Sequence, residues 1–148
     1  MKDKPESKVI GVFERVSFPS FGMNRVMAKI DTGAYTGALH CTKIEEVDTP
    51  DGKILHFSPF DKPKKQFSTD KFVVSHVKSS NGKKENRYFI KTDIELDGQV
   101  YPILLSLADR SEMKWSVLIG RRFLRSNHFM VDATRGRQYR NEVPEVQG

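Results

Sequence analysis

Apolar and polar residues alternate with period two along most of this chain and almost nowhere with the 3.6-residue period of a helix. The cleanest stretch places Tyr88, Ile90, Thr92, Ile94 and Leu96 on one face and Lys91, Asp93, Glu95 and Asp97 on the other, which predicts a half-buried antiparallel strand. Asp97-Gly98 turns it back into 100–107, an apolar run dense enough to predict burial on both faces. Upstream, 9–16 is a short apolar run and Phe18-Pro19-Ser20-Phe21-Gly22 turns the chain. Val26-Met27-Ala28-Lys29-Ile30 then predicts a strand that ends at Asp31. The pattern weakens after Leu39. Asp48-Thr49-Pro50-Asp51-Gly52 reads as a turn, 53–57 as the returning strand of a hairpin, and 58–70 as a loop.

Phe72-Val73-Val74-Ser75-His76-Val77 predicts a further strand. The polar segment that follows contains an Asn-Gly pair, the sequence signal for a two-residue hairpin turn, so Ser79, Ser80, Asn81 and Gly82 are expected at the tip of a projecting hairpin. Strands are also predicted at 116–119, at Phe129-Met130-Val131-Asp132 and at Arg137-Gln138-Tyr139, with one short helix at 121–125. Many short strands separated by turn signals indicate an all-β fold, a small closed or nearly closed β-barrel with a single short helix after the Leu118–Gly120 strand.

Length and composition narrow this to one domain. A chain of 148 residues with 37% hydrophobic content can bury one modest core, here assigned to 9–140, with flexible segments expected at 1–8 and 141–148. The first eight residues are charged and lack the apolar core of a signal peptide, and no segment approaches the roughly 18 apolar residues of a membrane span. The expectation is a soluble, cytoplasmic protein with no membrane partner. One cysteine, Cys41, excludes an internal disulfide framework and is expected to be buried. His40, His56, His76 and His128 are scattered; a zinc site drawing on His40, Cys41 and a distant histidine is disfavoured because neighbours on a strand point to opposite faces. No cofactor and no metal are therefore expected. The net charge of +6 favours an acidic partner. Without a helix-turn-helix, zinc-finger or aromatic RNA-binding signature, nucleic acid is disfavoured against an acidic peptide.

Against this background the informative chemistry is Asp31-Thr32-Gly33, a carboxylate carried by a strand into a tight turn of small residues ending in Ala34. Alone it is weak, since chance supplies the tripeptide in about one of thirty chains of this length. A second element strengthens it: Val117-Leu118-Ile119-Gly120-Arg121-Arg122-Phe123-Leu124, an apolar strand running through Gly into a short helix. Together the two resemble the signature motifs of the retropepsin-like aspartic proteases. A closer resemblance, over Gly11 to about Tyr139, is to a bacterial retropepsin-like family that bears the label ATP-dependent zinc protease. It is carried by Lys29 through His40, by Asp109-Arg110-Ser111-Glu112-Met113, and by Phe129-Met130-Val131-Asp132. The zinc of that label has no visible ligand set in the sequence.

The resemblance implies a retropepsin barrel and an aspartic endopeptidase in which Asp31 is catalytic and Thr32, Gly33 and Ala34 support its loop. Gly120 and Arg121 take structural roles beneath that loop, and the 79–86 hairpin is the flap. It also implies that Thr32 hydrogen-bonds across a two-fold axis. An aspartic mechanism needs two carboxylates, and this chain has one Asp-Thr-Gly, so a homodimer is expected. Association of the family with ligases that add glutamates to proteins makes a glutamate-rich peptide the leading substrate. Gly37 departs from the resemblance, which puts Ser there. Two alternatives remain open at this stage: a catalytically silent barrel that binds peptide or nucleic acid through its basic surface, and a zinc-dependent hydrolase.

Overall fold

The structure, a computed structural model, describes residues 7–78 and 81–138. Six strands close into a barrel: β2 (Phe13–Phe18), β3 (Met23–Asp31), β4 (Gly37–Thr49), β8 (Lys84–Leu96), β9 (Gln99–Ala108) and β10 (Val117–Gly120). The circuit runs β10-β3-β2-β8-β9-β4 and returns to β10, which pairs in parallel with β3 and antiparallel with β4. Closure removes the free edges that an open sheet of this length would expose. Three strands extend the barrel wall: β5 (Gly52–Pro59) pairs with β4, β6 (Phe67–Thr69) with β5, and β7 (Val73–Lys78) with β8. The one α-helix among the described residues, α1 (Arg121–Ser126), follows β10 directly, as the sequence predicts. A separate parallel pair joins β1 (Lys8–Ile10) to β11 (Phe129–Val131).

Alternation decides what fills the barrel. On β8, Ile90, Ile94 and Leu96 are buried while Lys91, Asp93 and Glu95 are exposed. Their inward side chains meet Val16, Phe18, Leu39, Leu105, Val117 and Ile119 in one continuous core. A smaller cluster of Phe13, Met27 and Trp115 covers the outer face of β3 near the candidate site, with the Phe13 and Trp115 rings 4.8 Å apart. At the barrel end, Phe123 of α1 and Phe129 of β11 stack at 5.8 Å, and Tyr101 meets both edge-on, which seats the helix and the small sheet on β9.

Several details differ from the sequence reading. The 100–107 run alternates rather than burying both faces: Tyr101, Ile103, Leu105 and Leu107 point inward, while Val100 is 56% exposed. The stretch beyond Leu39, where periodicity fades, belongs to one continuous strand of 13 residues, Gly37–Thr49, because β9 and β10 pair with its first part and β5 with the rest, and hydrogen bonding outweighs pattern. Within the expected 58–70 loop, Phe67–Thr69 forms β6, held by Phe67 packing on Phe21 and Phe57. Arg137 and Gln138 lie in a 3-10 turn, not a strand, and Tyr139 falls outside the described residues. The register pairs Lys78 with Lys84, so the hairpin loop spans five residues, 79–83, instead of an Asn-Gly pair alone. Asn81 and Gly82 lie in it, as expected; Ser79 and Ser80 lie outside the described residues. So do residues 1–6 and 139–148, which hold most of the two segments expected to be flexible.

Candidate active site

Asp31 is the last residue of β3 and sits in register with Gly120 of β10. Ile30, one residue earlier, is buried in the core, so the strand anchors in the barrel and delivers the next side chain to its end. The chain then turns sharply. Gly33 N–H donates to Asp31 Oδ1 at 3.0 Å, and Ala34 N–H donates to the Asp31 carbonyl at 3.2 Å. One carboxylate oxygen is thus fixed by the loop itself, and among the described residues Oδ2 has no protein donor.

The loop is clamped from beneath. Arg121 Nη1 donates to the Gly33 carbonyl at 2.9 Å, and the backbone N–H groups of Arg121 and Arg122 donate to the carbonyls of Ala34 and Tyr35. Both guanidinium groups lie over the exposed Tyr35 ring, at 5.4 and 5.9 Å from its centroid. Gly120 is needed because the loop rests on its backbone: a Cβ there would lie 2.6 Å from the Tyr35 carbonyl oxygen and 2.9 Å from that of Ala34. The family resemblance implies Gly120 and Arg121 beneath this loop, and here both touch it: Arg121 through the Gly33 carbonyl and Gly120 through its close backbone approach.

Gly37 has a physical explanation of the same kind. It opens β4 where that strand converges on β10, and a Cβ would stand 2.4 Å from the Leu118 carbonyl oxygen and 3.1 Å from Leu105 Cδ2. The missing side chain therefore reflects a close approach of two strands in this chain. Thr32 is exposed on the loop, and Ala34 is half-buried against β10.

Sequence reasoning did not single out Arg110, half-buried in the 109–116 connection between β9 and β10. Its backbone N–H donates to His40 Nδ1 at 2.8 Å, and its Nε donates to the Trp115 carbonyl at 3.1 Å. Burial pushes its guanidinium below the usual range, and the charge of Asp31 works in the opposite direction. The signal lay in the Asp109-Arg110-Ser111 run, but nothing in the sequence says that this segment folds back onto the buried His40.

His40 is fully buried and uses both ring nitrogens: Nδ1 accepts from Arg110, so Nε2 carries the proton and donates to Asp61 Oδ1 at 2.9 Å. Cys41 is also fully buried, as expected, and burial pushes its thiol up to about 12. Among the described residues no three His, Cys, Asp or Glu side chains converge as a metal site. The hairpin of β7 and β8 is joined to the β4–β5 hairpin by Tyr88, whose hydroxyl donates to Glu46 Oε1 at 2.9 Å, while Lys53 pairs with the same carboxylate at 2.9 Å.

A closed barrel in which Asp-Thr-Gly is held over an apolar strand, a glycine and the start of a short helix defines a retropepsin-like domain. The chain belongs to the RimB-like family, the retropepsin-like aspartic endopeptidases, whose family model matches residues 9–142. A relative from Shewanella halifaxensis named "Probable alpha-L-glutamate ligase" is 30% identical over 95% of this chain, and one of the same name from Shewanella pealeana is 32% identical over 84%. The matched regions cover 32% and 28% of those proteins, so this chain spans about a third of their length. A solved structure of a protein of unknown function from Legionella pneumophila shares the fold, with a TM-score of 0.68, 23% identity, and 87% and 95% of the two chains covered.

Proposed function

We propose that the protein is an aspartic endopeptidase that acts as a homodimer, Asp31 of each copy supplying one carboxylate of the catalytic pair. The observation that carries this reading is the Asp31 loop: one carboxylate oxygen bound to Gly33 N–H, the other without a protein donor, on a turn clamped by Arg121. Two such carboxylates brought together cannot both ionise, so the pair shares one proton. The ionised member takes a proton from a water molecule that attacks the scissile carbonyl, and the protonated member donates to the oxygen on which charge develops. Rigid loops favour this chemistry because they hold the attacking water and the carbonyl in a reactive geometry.

One surface feature supports a dimer. Val9 and Met130 are register partners on the β1–β11 pair and are 42% and 58% exposed, an apolar contribution to a surface that a second copy would cover. The substrate class is an acidic, glutamate-rich peptide. The positive net charge, the lysines at 83 and 84 beside the hairpin tip, and relatives named as glutamate ligases support it.

The direct test is Asp31→Asn. Turnover of an oligoglutamate-containing peptide should fall by about 10³-fold or more, on the scale of losing an acid–base group, with binding retained. Specific activity should also rise with protein concentration as dimers form. Undiminished turnover in Asp31→Asn would remove the reading.

A further inference from the structure

We propose that the hollow beside the end of β3, rimmed by Lys29, Lys114 and Arg137 and floored by Phe13 and Trp115, receives the side chain of a glutamate near the scissile bond. The proposal rests on the peptidase reading and names the pocket that gives it specificity.

Alternation along β3 sets the geometry. Ala28 and Ile30 are buried in the barrel, so Met27, Lys29 and Asp31 share the opposite face. Met27 packs with Phe13 and Trp115; Lys29 comes next on that face, exposed, and Asp31 follows it. Two residues of strand put Lys29 and Asp31 about 7 Å apart along the backbone, the spacing of same-face side chains in an extended peptide bound alongside.

Two further segments close on this face. The Val12 carbonyl accepts from Ile30 N–H at 2.9 Å, and Val12 N–H donates to the Arg135 carbonyl at 2.8 Å, which holds the 133–137 segment against the strand. Trp115 has its ring 4.8 Å from that of Phe13 and its carbonyl bound by Arg110 Nε, and the Lys114 ammonium lies 5.4 Å from the indole centroid. The hollow they enclose is about 410 Å³, the size of a small-ligand pocket, and its lining carries three cations and no carboxylate. Among the described residues neither Lys29 nor Arg137 has an ion-pair partner.

The three charged residues are exposed, so the empty pocket costs the free protein little. What it offers is a positive field at the edge of an aromatic floor. Glutamate suits both parts, since its methylenes can lie on the rings while its carboxylate reaches the rim. A basic side chain would meet like charge, and a neutral one would gain only the floor. The position also answers an electrostatic difficulty. A catalytic aspartate pair sharing one proton keeps a negative charge that repels an acidic side chain nearby, and cations on the same strand face offset that repulsion.

The experiment measures binding by Asp31→Asn protein, so that peptides stay intact, using fluorescein-labelled oligoglutamate and matched oligoglutamine peptides and fluorescence anisotropy. This parent should prefer oligoglutamate. Adding Lys29→Gln together with Arg137→Gln should reduce that preference about tenfold, with little change toward oligoglutamine, as expected on losing charge-assisted contacts. Lys29→Glu alone should reduce it more than Lys29→Gln alone, because repulsion replaces attraction. Lys64→Gln with Lys65→Gln removes the same charge from an exposed segment after β5 and should leave the preference intact. No preference in the parent, an unchanged preference in the Lys29 and Arg137 double variant, an equal loss from the 64–65 pair, or equal weakening of both peptides would each overturn the proposal. The peptidase reading fails separately. If protein with Asp31 intact hydrolyses neither peptide while the Lys29 variants still lose the preference, the pocket stands as an acidic-peptide site without it.

Discussion

The Asp31 loop and the β7–β8 hairpin are both turns between strands, yet they are held in opposite ways. From Asp31 to Gly37 the chain is fixed by backbone bonds from Arg121 and Arg122, by the Arg121 side chain on Gly33, and by two close approaches, Gly37 against the Leu118 carbonyl of β10 and Gly120 of β10 against the 34–36 backbone. The hairpin has one sheet neighbour for β7, an exposed Val73, and a polar tie at its base from Tyr88 to Glu46. A reacting carboxylate gains from immobility, whereas an element that must admit a peptide gains from few restraints. On the proposed reading, the rigid turn would hold the reacting carboxylate and the freer hairpin would admit the peptide.

Filling the glycine contacts should break the rigid side most severely. Gly120→Ala and Gly37→Ser each push a Cβ into backbone that cannot move without displacing β10 or the loop, so each should cost about 1–3 kcal/mol, measured as a lower denaturant midpoint with an unchanged slope. A Gly37→Ser variant as stable as the parent would show that β4 and β10 separate easily. Arg121→Met removes the bond to the Gly33 carbonyl but leaves the backbone bonds. It should cost about 1 kcal/mol and lower turnover about tenfold by loosening the loop, with little effect on KM.

The hairpin side should respond less, and in a pH-dependent way. Hydrogen bonding to Lys53 and then to Tyr88 holds the Glu46 carboxyl below its usual range. A depressed folded-state value stabilises the fold above the unfolded value, about 4.3 for Glu, and that contribution is lost as pH falls through the folded one. Tyr88→Phe should therefore lower the melting temperature slightly at neutral pH, and the difference should fade below about pH 4. A difference that persists undiminished in acid would show that the effect does not come from the charge of Glu46. Smallest of all, Cys41 should not react with a disulfide reagent at pH 8 in folded protein and should react fully once unfolded, because its thiol is both buried and held protonated up to about 12.

The strand that ends at Asp31, the one carrying Ile90 and Ile94, and the helix after Gly120 were legible in the sequence because each has its own alternation or its own breaker residues. Val100 and β6 were not. Whether a face is covered depends on which distant strand lies over it, and a three-residue strand is too short to carry a period. The functional motifs divide similarly. Asp31-Thr32-Gly33 and Gly120-Arg121 can be read as two local signals, and Gly37 reads as a departure until β10 is seen passing over it.

By itself, then, the sequence determined the strand pattern, the barrel class, the carboxylate at a strand end and the glycine-arginine pair that supports it. These are properties of local spacing and residue type. Only the tertiary structure decided that β10 threads between β3 and β4, which makes Gly37 a packing necessity, and that the 109–116 segment folds onto His40, where the Arg110 N–H meets the buried imidazole. Those facts depend on contacts between residues far apart in the chain, and pairings of that kind leave no period in the sequence.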